Sequence, residues 1–194
     1  MLFRSHVARN AAETMRHSRN WHRIMDMIQF GGLPVISLLK GAVIGGGLEL
    51  ATATHIRIAD QTAFFQLPEG RRGIFVGGGA SVRVGRILGA DRMIEMMLTG
   101  RRYDADTGLQ LGLSHYVCDT EEQAQAKAEE WAKTVAENAQ LSNYIMIQAL
   151  ARIEDMAKAD GLFTESVCAA LTQTSDDAQE GLRAILEKRP GSFK

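Results

Sequence analysis

Three consecutive glycines, Gly45–Gly47, lie between a short apolar run and a helix-forming segment, and this junction constrains the fold most strongly. The apolar run Val35–Leu39 follows Pro34 and predicts a buried strand, whereas Leu48–Thr54 predicts a helix. Glycine lets the backbone turn sharply and pass close to another group. The first N–H groups of a helix have no partner within it, so they suit an oxygen that is or becomes negative. The pattern therefore predicts a strand-to-helix junction that faces a ligand.

Two glutamates lie close to junctions of this kind. Glu49 follows Gly46 by about one helical turn, so its carboxylate can face the same space. Glu69 follows Pro68, just beyond a second apolar run, and a second glycine triplet, Gly77–Gly79, opens another predicted helix. A glycine triplet alone is also typical of a helix that simply packs tightly on a strand. Two carboxylates and two helix starts at element ends together favour one shared site.

Further motifs follow these in a defined order. The ordered set is Gly45-Gly-Gly-Leu-Glu-Leu-Ala, Pro68-Glu69, Gly73 with Gly77-Gly-Gly, Leu98-Thr-Gly-Arg, Gly112-Leu, and a C-terminal segment that begins at Asp176 and reads DDAQEGLRAILEKR. From about His17 to the C-terminus, this set resembles the enoyl-CoA hydratase/isomerase (crotonase) superfamily. The resemblance implies an α/β fold, a spiral of repeated strand-strand-helix turns, followed by helices that build a trimer and often a hexamer.

The resemblance also implies which residues carry the chemistry. Glu49 and Glu69 match the two catalytic glutamates, of which one activates water at C3 of a 2-enoyl-CoA thioester and the other delivers a proton to C2. Gly46 is expected to donate an N–H to the oxyanion hole, and Gly77 belongs to the second helix start at the same pocket. Substrate contacts are assigned to Gly45, Gly47 and Pro68. No cofactor is implied, because the coenzyme A thioester is itself the substrate.

The electrostatics of such a site can be predicted from the two glutamates alone. Two close carboxylates in an apolar pocket do not both ionise easily, because burial and mutual repulsion disfavour the second charge. One of the two pKa values should therefore be raised, which suits acid–base work near neutrality.

The chain departs from the family pattern at its start. Family members carry several more strands before the helix that is predicted here over Val7–Gln29. The loop just upstream of that helix normally supplies the first oxyanion N–H, within an Ala-Gly-x-Asp-Leu-like segment. No such segment is found in this sequence. We therefore expect a core that is shortened at its N-terminus, and little hydratase activity from this chain without that donor.

A change of composition near Asp119 divides the sequence into two regions. Residues 1–118 predict the incomplete crotonase-like α/β core, and residues 119–194 predict a helical oligomerisation region. Its helices are predicted over Glu121–Asn138, Leu141–Ala157, Leu162–Thr172 and Asp176–Glu187. They carry apolar side chains in excess of what the core can cover, namely Trp131, Tyr144, Met146, Ile147, Leu150, Leu162, Phe163, Val167 and Leu171. Such a surplus predicts an interface, and hence a homotrimer or hexamer.

Composition argues against several other classes of protein. The net charge of −1 gives no overall field that would favour nucleic acid or an anionic membrane. No apolar run approaches transmembrane length, and the N-terminus lacks the apolar core of a signal peptide. Cys118 and Cys168 are expected to be buried free thiols, and the protein is expected to be cytoplasmic. His17 and His22 are five residues apart with no third ligand nearby, so no metal site is predicted.

Three functions remain open at this stage. The first is a hydratase, which both glutamates favour. The second is another reaction of the same fold, that of an isomerase, a hydratase-lyase or a thioesterase. The sequence does not indicate the acyl-chain preference. The third is a non-catalytic oligomeric or RNA-binding relative. A basic cluster on the first predicted helix could serve nucleic acid, the phosphates of coenzyme A, or only a solvated face, and it consists of Arg16, His17, Arg19, His22 and Arg23.

Overall fold

The strands of the chain are divided equally between two small three-stranded sheets. The computed structural model describes residues 10–193, and its strands are β1 (Ile36–Leu39), β2 (Ala42–Ile44), β3 (Ile56–Asp60), β4 (Phe64–Gln66), β5 (Tyr103–Asp104) and β6 (Tyr116–Cys118). The first sheet has the order β1-β3-β6 and is parallel throughout. The second has the order β2-β4-β5, with β2 parallel and β5 antiparallel to β4. Each turn of the chain adds one strand to each sheet, which confirms the predicted spiral.

Helices connect and follow these strands. They are α1 (Ala11–Gln29), α2 (Gly46–Ala51), α3 (Ala80–Leu88), α4 (Ala90–Thr99), α5 (Ala105–Gln110), α6 (Glu121–Ala136), α7 (Gln140–Ile153), α8 (Lys158–Gln173) and α9 (Asp176–Glu187), with a short 3-10 helix at Glu69–Arg72. The predicted helix over Val7–Gln29 is present from Ala11, and its residues 7–9 lie outside the described part of the chain. Asn10 begins α1, because its side chain accepts a hydrogen bond from the N–H of Glu13.

Two short strands were not predicted from the sequence. One of them is β5, which consists of only two residues. Tyr103 pairs with Phe65 of β4 and is only 5% exposed, so long-range pairing and burial decide its conformation. β2 is a three-residue strand whose Val43 pairs with the same Phe65. Strands of two or three residues are too short to show a periodic pattern.

The chain forms two compact units. Of the described residues, one unit comprises 10–31 together with Val35–Ala128, and the other comprises Gly32–Pro34 with 129–193. The first unit contains both sheets and a core in which the largest fully buried side chains include Leu48, Ile58, Phe65, Leu67, Val84, Met96 and Leu113. The boundary falls inside α6.

The second unit is helical. α8 was predicted to begin at Leu162 but begins at Lys158, four residues earlier. Gly161 accounts for the difference. A Cβ there would lie 3.3 Å from Ile153 Cγ2 of α7, so glycine permits close packing of α8 on α7. α9 spans Asp176–Glu187 as predicted, and Ser175 caps its start, because the Ser175 hydroxyl accepts from the N–H of Ala178.

Cys118 and Cys168 are free thiols, but both are only half-buried, so the prediction of full burial was wrong. Among the described residues, none of the helices combines the length and the apolar character needed to cross a membrane.

Candidate active site

Glu49 is a buried carboxylate held by the start of α3. It lies on the short helix α2 and is 7% exposed. Its Oε1 accepts hydrogen bonds from the backbone N–H of Gly78 at 2.6 Å and of Ala80 at 3.3 Å. These groups belong to the N-terminal end of α3, where unpaired N–H groups and the helix dipole attract negative charge. Two backbone N–H groups at this helix start therefore hold the Glu49 carboxylate in place.

Glu69 has a different environment. It begins the 3-10 helix after β4 and Pro68, its own carbonyl accepts from Ile74, and Gly73 ends the turn in a left-handed conformation. The residue is 7% exposed, and its Oε2 is buried with no hydrogen-bond partner among the described residues. Burial raises the pKa of Glu69 above its ordinary value; a backbone hydrogen bond opposes this, and the charge of Glu49 adds to it. Glu69 therefore keeps its proton to higher pH than an exposed glutamate.

Each glycine triplet lies against one of the two glutamates, the first against Glu69 and the second against Glu49. Gly45 has a φ of 52°, which favours glycine, and a Cβ there would lie 3.2 Å from Glu69 Oε1. A Cβ on Gly78 would lie 2.3 Å from Glu49 Oε2, well inside van der Waals contact. Glycine at these two positions lets the backbone pass close to the two carboxylates. The two glycine-rich junctions therefore converge, as predicted.

The backbone at Gly46 is open. The first hydrogen bond within α2 runs from the N–H of Glu49 to the carbonyl of Gly45, so the N–H of Gly46 precedes it. Apart from its chain neighbours and the backbone of α2, no described heavy atom lies within 4 Å of the place that a Cβ on Gly46 would take, and a Cβ on Gly47 would only reach the Ala42 carbonyl at 4.0 Å. By contrast Gly45 and Pro68, also predicted as substrate contacts, are buried. They form the backbone beside Glu69.

In the second triplet, the structure places Gly78 at the carboxylate and Gly77 one residue away from it. The carbonyl of Gly77 accepts a hydrogen bond from Ser18 Oγ of α1 at 2.6 Å. Arg83 of α3 lies against the same segment, since its Nη1 is 3.5 Å from the Gly78 carbonyl. Because the three residues of the triplet are identical, the sequence does not show which of them contacts Glu49. Nothing in the sequence indicated that Ser18 contacts the triplet.

The basic cluster on α1 is partly used within the molecule. The ring of His17 accepts a hydrogen bond from Trp21 Nε1 at 3.1 Å, and His22 Nε2 lies 3.4 Å from Ser18 Oγ. Arg16, Arg19 and Arg23 are exposed. Within residues 10–193, no group of three or more His, Cys, Asp or Glu side chains is arranged to hold a metal ion.

The site therefore offers one carboxylate held by two backbone N–H groups, a second that keeps its proton to higher pH, and the start of α2. This set can take a proton from one atom and give a proton to another while a backbone N–H faces a developing negative charge.

Comparison with known proteins identifies the family. Residues 3–194 match the sequence model of the enoyl-CoA hydratase/isomerase family. Relatives include human "Enoyl-CoA hydratase domain-containing protein 2, mitochondrial", which is 34% identical over 88% of this chain and 59% of its own length. Enoyl-CoA hydratase EchA19 of Mycobacterium tuberculosis is 32% identical over 83% of this chain and 60% of its own length. The mitochondrial Delta(3,5)-Delta(2,4)-dienoyl-CoA isomerase of Dictyostelium discoideum is 28% identical over 96% of this chain and 64% of its own length.

The chain thus spans less than two thirds of the length of these curated relatives. Solved structures agree in fold. A protein from Rhodopseudomonas palustris, provisionally named an enoyl-CoA hydratase, is 47% identical with a TM-score of 0.90, over 96% of this chain and 72% of that one. An enoyl-CoA hydratase from Bacillus anthracis is 29% identical with a TM-score of 0.88, over the same shares of the two chains. The chain belongs to the enoyl-CoA hydratase/isomerase (crotonase) family.

Proposed function

We propose that this chain carries the acid–base site of an enoyl-CoA hydratase, which adds water reversibly to a 2-enoyl-CoA thioester and yields a 3-hydroxyacyl-CoA. The observation that carries this proposal is the inequality of the two glutamates. Glu49 accepts two backbone N–H bonds, whereas Glu69 is buried with a raised pKa and an unbonded Oε2. A hydration needs one base for water and one acid for carbon, and these environments support that division.

In this proposal Glu49 is the base and Glu69 is the acid. Glu49 takes a proton from water while the water oxygen bonds to C3, and the electrons of the C2–C3 double bond move toward the thioester carbonyl. The N–H of Gly46 donates to the enolate oxygen that forms. Glu69 then gives its proton to C2. The product carries OH at C3 and H at C2, and the protons of the two carboxyl groups are restored by exchange with solvent.

An isomerase is the second candidate, because the Dictyostelium relative that covers 96% of this chain is named a dienoyl-CoA isomerase. The same two glutamates could move a proton between two carbons without adding water. Product analysis separates the two reactions, since hydration incorporates oxygen from labelled water and isomerisation does not.

The proposal is tested with crotonyl-CoA, by following loss of the conjugated thioester. The chain matches 72% of the Rhodopseudomonas structure, so we would assay it both alone and joined to the remaining residues of that protein. Glu49→Gln and Glu69→Gln should each lower kcat by roughly 10²–10⁴, the usual contribution of a positioned acid or base. Binding of the thioester should be largely retained.

A matched control is Glu95→Gln. Glu95 lies on α4 and bonds to Tyr103 and Arg101, so it tests loss of a carboxylate away from the site. Its kcat should stay near that of the unmodified protein. Turnover as fast as the unmodified protein in either Glu49→Gln or Glu69→Gln would contradict the assignment.

We also propose that the protein assembles as a homotrimer or a multiple of it. The support is the set of exposed apolar side chains in the helical unit. Seven of the nine side chains that the sequence singled out are exposed, namely Tyr144, Met146, Leu150, Leu162, Phe163, Val167 and Leu171. Apolar surface of this extent favours an interface.

A further inference from the structure

Ser18 of α1 is connected to Glu49 through a single peptide unit. Its Oγ–H donates to the carbonyl oxygen of Gly77 at 2.6 Å. The nitrogen of that same peptide belongs to Gly78, and its N–H donates to Glu49 Oε1 at 2.6 Å. The two hydrogen bonds therefore lie at opposite ends of one amide group, with a side chain at each end.

An amide in this position transmits the effect of one bond to the other. A hydrogen bond accepted by a carbonyl polarises the peptide and makes its N–H a stronger donor. The bond to Gly77 also fixes the plane of the peptide, and so the direction in which the Gly78 N–H points. Ser18 should thus hold Glu49 Oε1 in place and strengthen its hydrogen bond from the Gly78 N–H.

His22 supports the hydroxyl from the other side. A serine hydroxyl has one proton, and Ser18 gives it to Gly77. The contact of 3.4 Å to His22 Nε2 therefore requires the histidine to be the donor. A series of hydrogen bonds therefore runs from His22 through Ser18 and the Gly77–Gly78 peptide to Glu49, and each group donates to the next one.

The bond is not needed to attach α1 to its neighbours. Arg83 of α3 already binds α1 twice, at Asp26 Oδ1 at 2.8 Å and at Gln29 Oε1 at 2.7 Å. The ring of His55 makes a third connection, with its Nε2 2.9 Å from the Gln29 carbonyl. These contacts lie two to three helical turns from Ser18, which leaves its hydroxyl with the Gly77–Gly78 peptide as its main partner.

We propose that Ser18 is a positioning residue for Glu49, acting through the Gly77–Gly78 peptide. The proposal rests on the proposed function, in which Glu49 is the base. Ser18 does not touch the substrate in this scheme, so it changes the rate of the chemical step and leaves binding of the thioester unaffected.

Kinetics give the first test. Ser18→Ala should lower kcat by about 5–10-fold, the effect of losing one partly buried hydrogen bond, with KM unchanged. Ser18→Thr keeps the hydroxyl and should restore most of the rate, and Ser18→Cys, a weaker donor, should fall between them. The control is Ser37→Ala, because Ser37 is also a half-buried serine whose hydroxyl is bonded, to Thr54 Oγ1 at 2.7 Å in another part of the core.

A double-mutant cycle separates positioning from general stability. In the Glu49→Gln background, Ser18→Ala should cause little further loss of rate, because the group on which it acts is gone. Equal losses in both backgrounds, or a rise in KM with kcat unchanged, would overturn the proposal.

NMR gives a readout that does not depend on activity. The amide proton of Gly78 should resonate far downfield, because it donates to a carboxylate, and should move upfield in both Ser18→Ala and Glu49→Gln. Ser37→Ala should leave it unchanged. An unmoved Gly78 resonance in Ser18→Ala would overturn the inference even if the enzyme proved to be an isomerase. Conversely, a protein that hydrates nothing but shows the Gly78 shift would disprove the proposed function and leave the coupling established.

Discussion

At the scale of the residue, the contact between Gly78 and Glu49 leads to a sharp prediction. In Gly78→Ala, the new Cβ would lie 2.3 Å from Glu49 Oε2 and 2.8 Å from its Cδ. Glu49 is buried and cannot swing into solvent, so either its carboxylate or the Gly77–Gly79 backbone must move. Because a displacement of about 1 Å in a catalytic group can cost around 100-fold, we expect kcat to fall by about that factor. Steady-state kinetics on crotonyl-CoA measure this.

The control for this change is Gly85→Ala in α3. A Cβ there would meet only Met93 Sδ at an ordinary 3.7 Å, and the position is in the interior of a helix. Alanine should therefore leave the rate unchanged and stabilise the fold by up to about 1 kcal/mol. If Gly78→Ala behaved like Gly85→Ala in both rate and stability, the close packing of Gly78 on Glu49 would be wrong.

The raised pKa of Glu69 predicts a pH-dependent effect on stability. Below the ordinary value of 4.5, the carboxyl is protonated in the folded and the unfolded chain and contributes no difference. Between that value and the raised pKa of the folded state, only the unfolded chain has released the proton, so the stability of the folded state falls as pH rises. Glu69→Gln removes this dependence. Its melting temperature relative to the unmodified protein should therefore increase with pH from about 4.5 upward and then level off.

Thermal unfolding at several pH values, with Glu95→Gln as the control, measures this difference. A difference that stays constant across the range would mean that burial does not hold Glu69 neutral. Together with the loss of rate expected for Glu69→Gln, a gain in stability would mark the residue as one kept for function at some cost to the fold.

Much of the site could be predicted at this scale, and the limit is clear. The sequence indicated that Glu49 and Glu69 lie at element ends and that one of the two pKa values would be raised, because burial and mutual repulsion disfavour a second charge. It could not show that Gly78 rather than Gly77 contacts Glu49, since the members of a triplet differ only in tertiary position. The contact of Ser18 could not be predicted for a related reason, because its hydrogen-bond partner is a backbone carbonyl 59 residues away in the sequence.

At the scale of the element, helices were predicted well because α1, α6 and α9 span enough turns to show their periodicity and start signals. The short strands β2 and β5 were not predicted. β2 and β5 exist because each pairs with β4, and pairing of that kind depends on contacts distant in sequence. The spiral of strand-strand-helix turns was predicted from the family resemblance rather than from any local pattern.

Arg57 of β3 carries a prediction about how these elements are joined. It is a buried cation whose guanidinium donates to three backbone carbonyls, those of Thr54, Gly112 and Leu113, and burial lowers its pKa to about 10. Arg57→Met would leave these carbonyls without their donor, which should destabilise the fold by about 2–4 kcal/mol. Arg57→Lys should recover only part of this, since an ammonium group cannot reproduce the planar arrangement of donors.

Chemical denaturation measures the free energy of unfolding for these variants. The control is Arg102→Met, because Arg102 is an exposed arginine that stacks on the ring of Phe64 and should cost no more than about 1 kcal/mol. A loss for Arg57→Met no larger than that of the control would mean that water replaces the guanidinium at these carbonyls.

At the scale of the whole molecule, the helical unit raises the question of what covers its apolar side chains. On α8, Phe163, Val167 and Leu171 follow one another at intervals of four residues and so lie on one face of the helix, and Phe163 is 71% exposed. A face of this kind is costly to leave in water, at roughly 25 cal/mol for each Å² of apolar surface. Because a homo-oligomer can bury the same face on every copy, we expect α8 to contribute to the assembly interface.

The test is the oligomeric state of Phe163→Ser combined with Val167→Ser. Light scattering on the unmodified protein should give the mass of a trimer or a multiple of it at micromolar concentration, and the double variant should give smaller species. The helix should still form, because α8 contributes only Gly161 to the buried residues of the chain and the two substitutions remove little from the interior. Met27→Ser is the matched control, since Met27 is an equally exposed apolar side chain on α1. A monomeric unmodified protein would disprove the assembly, and an unchanged mass in the double variant would place the interface on another face.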